Sequence, residues 1–588
     1  MTYTAAVEEM LFALEEVAGL AEAREAGAID LGEDDARAIL TEAGRFAEDE
    51  LAPLNEIGDR EHSRRDGHDV ITPQGWAEAY RAWVDAGWGS LTGEEAYGGQ
   101  GLPMALQIVL TDIVNQANAG FSLNPLLTVG AVEALQAHAS DALKATYLPK
   151  MIAGEWAGTM NLTEPQAGSD LGTLKTRAEP EGDHYRLFGQ KIFISYGEHD
   201  LTENIIHLVL ARLPDAPEGT RGISLFLVPK FLVAEDGSLG ARNDVACVGV
   251  EDKLGIHASP TCTMAYGDKG EGAIGYLVGQ PGRGLNAMFT MMNQARVSVG
   301  MQGAAVAERA TQRAVAFAMD RKQGATPSWT AGGPAPIAYH PDVKRMLLSM
   351  RGLTRAARAI CYACAVAIDR GRPGKPDAAF WKARADLLTP IAKAFASDIG
   401  VEVSSLGIQV HGGMGYVEET GAAQHFRDAR IFTIYEGTNG IQAIDLVRRK
   451  IVMQDGAVLA AYLKELRGIA EAARGANDLS LGEAGKQLEG AIDAVASAAA
   501  ALAAALAAGE VDKALAGATP FLRAIGLTAG GAYLVKAALK AQEGAAPSRA
   551  GLARFFVDGF VTSVPALAAN AVGGADDILA ATPDILAA

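Results

Sequence analysis

The spacing of hydrophobic and polar positions changes three times along the chain. Up to about residue 158, apolar residues recur every three or four positions, as in "DDARAILTEAGRFAEDELAPLNEIGD" and "MALQIVLTDIVNQANAGFSL". That period puts them on one face of a helix. From about 159 to 280 the stretches become short and often alternating: "HYRLFGQKIFIS", "IIHLVLARL", "ISLFLVPKFLV", "TCTMAYGD" and "IGYLVG". Turn residues separate them, which predicts a small antiparallel sheet rather than a βαβ series. Helical periodicity returns over 281–455, predicting a bundle. The final stretch, 456–588, is alanine-rich and helical, with glycine joints expected at "LTAGGAYL" and "GAAPSRAG". The reading is mainly α with a central β domain, in four parts: 1–158, 159–280, 281–455 and a separate helical extension, 456–588.

Length and composition narrow this picture. A chain of 588 residues is too long for one core, and 49% hydrophobic with 21% charged residues is ordinary for a globular protein. The net charge of −20 argues against a nucleic-acid partner, which needs a basic face. The N-terminus lacks the basic and apolar regions of a secretory leader. The most apolar helical stretch, Ala494–Ala508, is about 15 residues and mostly alanine, which favours a packed helix over a membrane span. A cytoplasmic location is expected. Cys361 and Cys364 form a CxxC at helical spacing without a second Cys/His pair, so they read as core residues, and no metal site is expected.

Candidate chemistry is concentrated in a few places. "IYEGTNGIQ" sets Glu436 at a glycine-broken corner between two apolar segments. A carboxylate at the wall of an apolar cavity has a raised pKa and can act as a general base. "NLTEPQAGSD" (Asn161–Asp170) is a loop whose amides and Ser169 hydroxyl suit a phosphate or a heteroaromatic edge, or else form an ordinary turn. In "GQKIFIS", strand alternation puts Phe193 and Ser195 on one face, where Phe193 is a stacking platform or a core aromatic. "HGGMGY" (His411–Tyr416) lies between helices and marks close approach to a helix or a ligand. There is no Walker A loop, no GxGxxG between strand and helix, no GxSxG elbow and no HExxH.

Six stretches in this order, "LTEPQAGSD", "GQKIFIS", "EDKLGIHASPT", "NQAR…DRKQ", "QVHGGMGY" and "IYEGTNGIQ", resemble the acyl-CoA dehydrogenase family over residues 40–450. The resemblance implies an FAD enzyme without a Rossmann motif, in which Glu436 removes the proton beside the thioester carbonyl. By position in the motifs, Thr163, Ser169, Phe193, Ser195, Arg321, Gln409, Gly412, Gly413 and Thr438 match flavin contacts. Asn293, Arg296, Tyr435 and Gly437 match the substrate side, although the family more often has Asp where Asn293 stands. The resemblance implies an electron-transfer flavoprotein as electron acceptor. The extra length resembles a bacterial subgroup acting on 3-methylmercaptopropionyl-CoA, a short thioether thioester of dimethylsulfoniopropionate degradation, or on broad-range fatty acyl-CoAs. A C-terminal extension covering a tetramer surface would leave a homodimer. An acyl-CoA oxidase shares the base and fold but would release peroxide; a non-catalytic CoA-binding scaffold would lack flavin.

Overall fold

The computed structural model describes residues 3–476, 481–541 and 545–587. It forms two compact units, each assembled from separated stretches of chain. One comprises Arg45–Pro103 and Ala117–Ala295; the other comprises Met1–Gly44, Met104–Gln116 and Arg296–Ala588. The chain changes unit next to the junction of helices α1 (Met104–Ala117) and α2 (Ala119–His138), where the Asn118 side chain caps α2 by accepting the Phe121 amide at 3.0 Å.

The first unit holds the sheet. Its strands are β1 (Trp156–Asn161), β2 (Arg177–Glu181), β3 (His184–Ser195), β4 (Asn204–Arg212), β5 (Ile223–Pro229), β6 (Val245–Val250), β7 (Thr261–Tyr266) and β8 (Ala273–Val278). They lie in the order β6-β7-β3-β8-β5-β4-β1, with β2 against β3 and β4. Most pairs are antiparallel, as expected, but β1 runs parallel to β4 over six residues. Apolar residues bury both faces. Leu127, Leu135, Trp156, Leu208, Leu225 and Met288 pack together in one cluster, and Leu187, Ile194, Val209, Phe226, Cys247 and Met264 in another. The N-terminal region is not all helix: Arg64–Asp66 and Asp69–Ile71 form a small hairpin.

The second unit is helical. Its main elements are the part of α3 (Gly284–Asp320) from Arg296 onward, α4 (Pro341–Arg370), α5 (Ala378–His411), α6 (Ala422–Phe432) and α7 (Asn439–Asp445). Then come α8 (Ala457–Gly475), α9 (Ala484–Ala507), α10 (Ala518–Leu539), α11 (Ala546–Gly559) and α12 (Val564–Gly573). The C-terminal stretch packs onto the bundle, with α10 against α4, α5 and α7. It also grips the N-terminal segment, where Arg549 donates to both Glu9 oxygens at 3.0 and 2.9 Å and Lys536 donates to the Val17 carbonyl at 3.1 Å. The "LTAGGAYL" joint is instead the buried middle of α10. A Cβ on Gly530 would lie 2.7 Å from Ala356 Cβ, and one on Gly531 2.6 Å from Val561, so the glycines are there for close packing. The "GAAPSRAG" joint begins at Gly544, outside the described residues; from Ala546 it is the start of α11.

By length and hydropathy alone, Ala484–Ala507 and Ala546–Gly573 could cross a membrane. In this unit α9 packs against α8, α10 and α12, and the second stretch breaks into α11 and α12 at a short 3-10 turn, Val561–Ser563. Cys361 and Cys364 are fully buried, and burial pushes the Cys364 thiol up to about 12, as befits packing residues. Among the described residues no group of three or more His, Cys, Asp or Glu side chains is placed to hold a metal ion.

Candidate active site

In the helical unit, α6 ends at Phe432 and α7 begins at Asn439, and the six residues between them form a tight corner. The Thr438 hydroxyl caps α7 by accepting the Ile441 amide at 3.3 Å. Glu436 and Gly437 both have left-handed backbones, φ 56° and 83°. The second position is reserved for glycine on two grounds. An L side chain is strained there, and a Cβ would lie 2.7 Å from Gln442 Nε2. The strain at Glu436 itself is of order 1 kcal/mol or more and persists only where the surroundings over-determine the turn.

Those surroundings are visible. The buried Gln442 side chain donates to the Glu436 carbonyl at 3.3 Å and to that of Gly437 at 3.4 Å. Lys393 of α5 donates to the Gly437 carbonyl and to Asn439 Oδ1, both at 2.8 Å. Asn439 donates to the Ala394 carbonyl, Ser397 and Asp398. Tyr435 donates to Gln302 at 2.5 Å, and Gln302 donates to Asn115 at 3.1 Å, so the turn is also tied to α3 and α1.

Glu436 keeps part of its surface open, while the protein packed around it raises its pKa to about 7. Burial dominates; the Arg296 and Lys393 charges pull the other way without cancelling it. A carboxylate that is accessible, desolvated and half-ionised at neutral pH is suited to taking a proton from a weak carbon acid. Arg296 is thus placed beside the carboxylate and the Gly437 turn. Asn293 sits in the first half of α3, which belongs to the other unit; its side chain lies outside the described structure.

The remaining predicted residues divide between the units. In the helical unit Arg321 is exposed just past the end of α3, and Gln409 is exposed in the last turn of α5. Gly412 and Gly413 follow it, and a Cβ on either would meet nothing within 4 Å. Packing accounts instead for Gly415, whose Cβ would lie 2.3 Å from the Ile408 carbonyl. His411 is structural, donating from Nδ1 to the Gly407 carbonyl at 2.7 Å and stacking on Phe317.

In the sheet unit the "LTEPQAGSD" loop is held from inside. The buried Glu164 carboxylate accepts from the Lys175 amide at 2.7 Å, the Thr176 amide at 3.0 Å and Lys191 Nζ at 2.8 Å. Burial alone would raise its pKa, but the Lys191 charge and these hydrogen bonds bring it to about 2. The loop thereby presents Thr163 partly open and Ser169 exposed, and the Thr163 carbonyl accepts the Ile192 amide of β3 at 2.9 Å. The expected strict alternation of β3 does not hold. Its pairing with β7 is irregular between Lys191 and Ile194, and Phe193 has φ 60°. That bulge leaves the Phe193 ring 59% exposed, so it is not the core aromatic of the alternative reading, and Ser195 is partly buried. In the sheet unit an exposed aromatic on a fixed strand and polar loop groups, and in the helical unit bare glycine backbone, each suit contacts to a flat, phosphorylated cofactor such as FAD.

The sequence matches the models described as acyl-CoA dehydrogenase N-terminal domain (33–155), middle domain (159–268) and C-terminal domain (282–451). It also matches the acetyl-CoA dehydrogenase C-terminal-like domain over 462–582. The chain is 47% identical to a 3-methylmercaptopropionyl-CoA dehydrogenase of Ruegeria pomeroyi, over 92% of each chain. It is 36% identical to a butyryl-CoA dehydrogenase of Syntrophomonas wolfei, over 74% of this chain and 73% of the other. A Bacillus anthracis acyl-CoA dehydrogenase solved with FAD shares the fold at a TM-score of 0.74 and 21% identity, covering 100% of this chain and 94% of its own. The chain belongs to the acyl-CoA dehydrogenase family.

Sequence reasoning missed Lys393 and Gln442. Gln442 lies inside the quoted "IYEGTNGIQ" stretch, and its place one helical turn beyond Thr438 is the signal that could have found it. Lys393 lies 43 residues before Glu436, a separation no local pattern spans.

Proposed function

We propose that this protein is an FAD-dependent acyl-CoA dehydrogenase for short acyl-CoA thioesters. The foremost substrate is 3-(methylthio)propanoyl-CoA, converted to 3-(methylthio)acryloyl-CoA. The observation that carries the chemistry is the Glu436 carboxylate, accessible yet raised to about 7 on a rigid left-handed corner. Similarity over 92% of both chains to the Ruegeria relative supports the thioether substrate.

Glu436 takes the proton from Cα of the thioester. Negative charge then develops on the thioester oxygen and is met by a backbone N–H of the same corner. Arg296 and Lys393 keep enough positive charge beside Glu436 for a useful fraction to be ionised near neutral pH. When bound, FAD supplies the two-electron acceptor for the hydride that leaves Cβ. In the sheet unit Thr163, Ser169, Phe193 and Ser195 would hold it; in the helical unit Arg321, Gln409, Gly412, Gly413 and Thr438 would. Tyr435, Gly437, Asn293 and Arg296 serve the substrate side. An electron-transfer flavoprotein accepts the electrons, and the enzyme works as a cytoplasmic homodimer.

The test is an anaerobic titration of the yellow protein with 3-methylmercaptopropionyl-CoA, butyryl-CoA, octanoyl-CoA and palmitoyl-CoA, following flavin absorbance near roughly 450 nm. The thioether or butyryl ester should bleach it most readily. Glu436→Gln should stay yellow and lose bleaching by at least about 10²–10⁴-fold in rate. A Gln variant that still bleaches at the wild-type rate would remove Glu436 from the mechanism. Preference for palmitoyl-CoA would remove the short-chain assignment.

A further inference from the structure

Lys393 lies in the middle of α5, in "PIAKAFASD", and its side chain is 0% exposed. An ammonium removed from water is costly unless something holds its charge and its donors. The donors go to the Gly437 carbonyl and to Asn439 Oδ1, each at 2.8 Å. These two acceptors flank Thr438, so one ammonium clamps the peptide after Gly437 to the first residue of α7. The same helix adds Ser397 and Asp398 to the Asn439 side chain.

The charges around Lys393 come from several elements. Glu436 on the corner and Asp398 on α5 attract it, and Arg296 on α3 repels it. Arg523 of α10 and Glu402 of α5 act on Asp398, and Asp445 of α7 and Arg449 act on Arg296. Burial lowers the Lys393 pKa to about 7, the same region as Glu436, so the pair exchanges influence where the enzyme works.

Resting on the reading of Glu436 as base, we propose that Lys393 is a positioning residue for it. Its two hydrogen bonds fix the left-handed turn that aims the carboxylate, and its buried charge favours the ionised, proton-accepting form of Glu436. Lys393 itself passes no proton to substrate: the proton leaving Cα goes to Glu436.

The experiment compares Lys393→Gln, Lys393→Met and Lys393→Arg with wild type and Glu436→Gln, as flavin-loaded full-length chains. It records kcat/KM against pH with 3-methylmercaptopropionyl-CoA, flavin content and melting temperature. Removing the cation should raise the apparent pKa of Glu436, moving the acid limb up by about one pH unit or more in both neutral variants. At pH 7 Lys393→Met should lose at least about tenfold. Lys393→Gln should lose less, because its amide still donates to Gly437, and Lys393→Arg should keep the limb at the wild-type position. A limb that stays in place in both neutral variants overturns the proposal, whatever the fall in rate, because a purely structural lysine would produce that pattern. Two neutral variants that do not fold also overturn it, since a positioning role leaves the fold intact. Bleaching retained by Glu436→Gln defeats the base assignment; an inert Glu436→Gln with an unmoved limb in both neutral Lys393 variants defeats Lys393 alone.

Discussion

Glu436 shows how a single side chain is written into local sequence. A carboxylate followed by glycine, between apolar runs, announces a corner, and the corner is there. Its raised pKa has a consequence for the unloaded chain. The ordinary value is 4.5 and the folded value about 7, so between them the folded chain holds a proton that the unfolded chain has released. The group therefore costs stability as pH rises through that window, and the cost is fully present above about 7. Flavin-free Glu436→Gln should be more stable than wild type at pH 8 by about 1–3 kcal/mol, partial exposure keeping it below the full linkage value. Urea unfolding at pH 8 and pH 5 checks this: the gap should narrow at the lower pH. Lys393 was illegible for the opposite reason. One polar residue in an apolar helix normally marks the solvent side, and only the tertiary acceptors at Gly437 and Asn439 turn it inward.

Elements were mostly legible where periodicity was long, and least where packing overrides propensity. Two adjacent glycines in "LTAGGAYL" signal a break because each costs about 1 kcal/mol in a helix. In α10 that cost is outweighed by what the missing side chains admit: Ala356 at Gly530, Val561 at Gly531 and the Phe395 ring at Gly526. Gly526→Ala should destabilise by about 1–3 kcal/mol, since its Cβ would fall 2.4 Å from that ring. Gly551→Ala in α11, where nothing lies within 4 Å, should stabilise by about 0.5–1 kcal/mol. Opposite signs for the two in the same denaturant titration are the expected result. The bulge in β3 escaped alternation for a related reason: a bulge adds a residue without changing composition, and Phe193 reads as apolar whether it faces core or solvent.

At the scale of the molecule, length and texture gave the helical, sheet and helical parts, but not which stretches join. Segments 1–44 and 104–116 complete the unit built by residues from 296 onward. A buried charge network does part of the joining. Asp112 of α1 accepts from Arg358 Nε at 2.6 Å and from the Tyr362 hydroxyl at 2.8 Å, while Glu308 of α3 accepts from Arg351 at 2.7 Å. Asp112 and Arg358 are essentially without solvent exposure. Asp112→Ala leaves that guanidinium buried without its main counter-charge and should destabilise the unit by about 3–5 kcal/mol in thermal or urea unfolding. No sequence pattern announces such a pair, because its partners stand 246 residues apart.

That interleaving bears on how the chain is made. The first 44 residues leave the ribosome long before their partners: residue 296 follows about 13–50 s later at ordinary elongation rates of about 5–20 residues per second. Their apolar faces, Met10, Leu14 and Leu40 among them, must wait in the open while the sheet unit can already close behind them. Arg549 and Lys536, which pin this segment at Glu9 and Val17, arrive later still. The helices within residues 3–44 are thus a nascent chain's exposed liability, and their dense run of glutamate and aspartate favours solubility until residues 536–549 are synthesised.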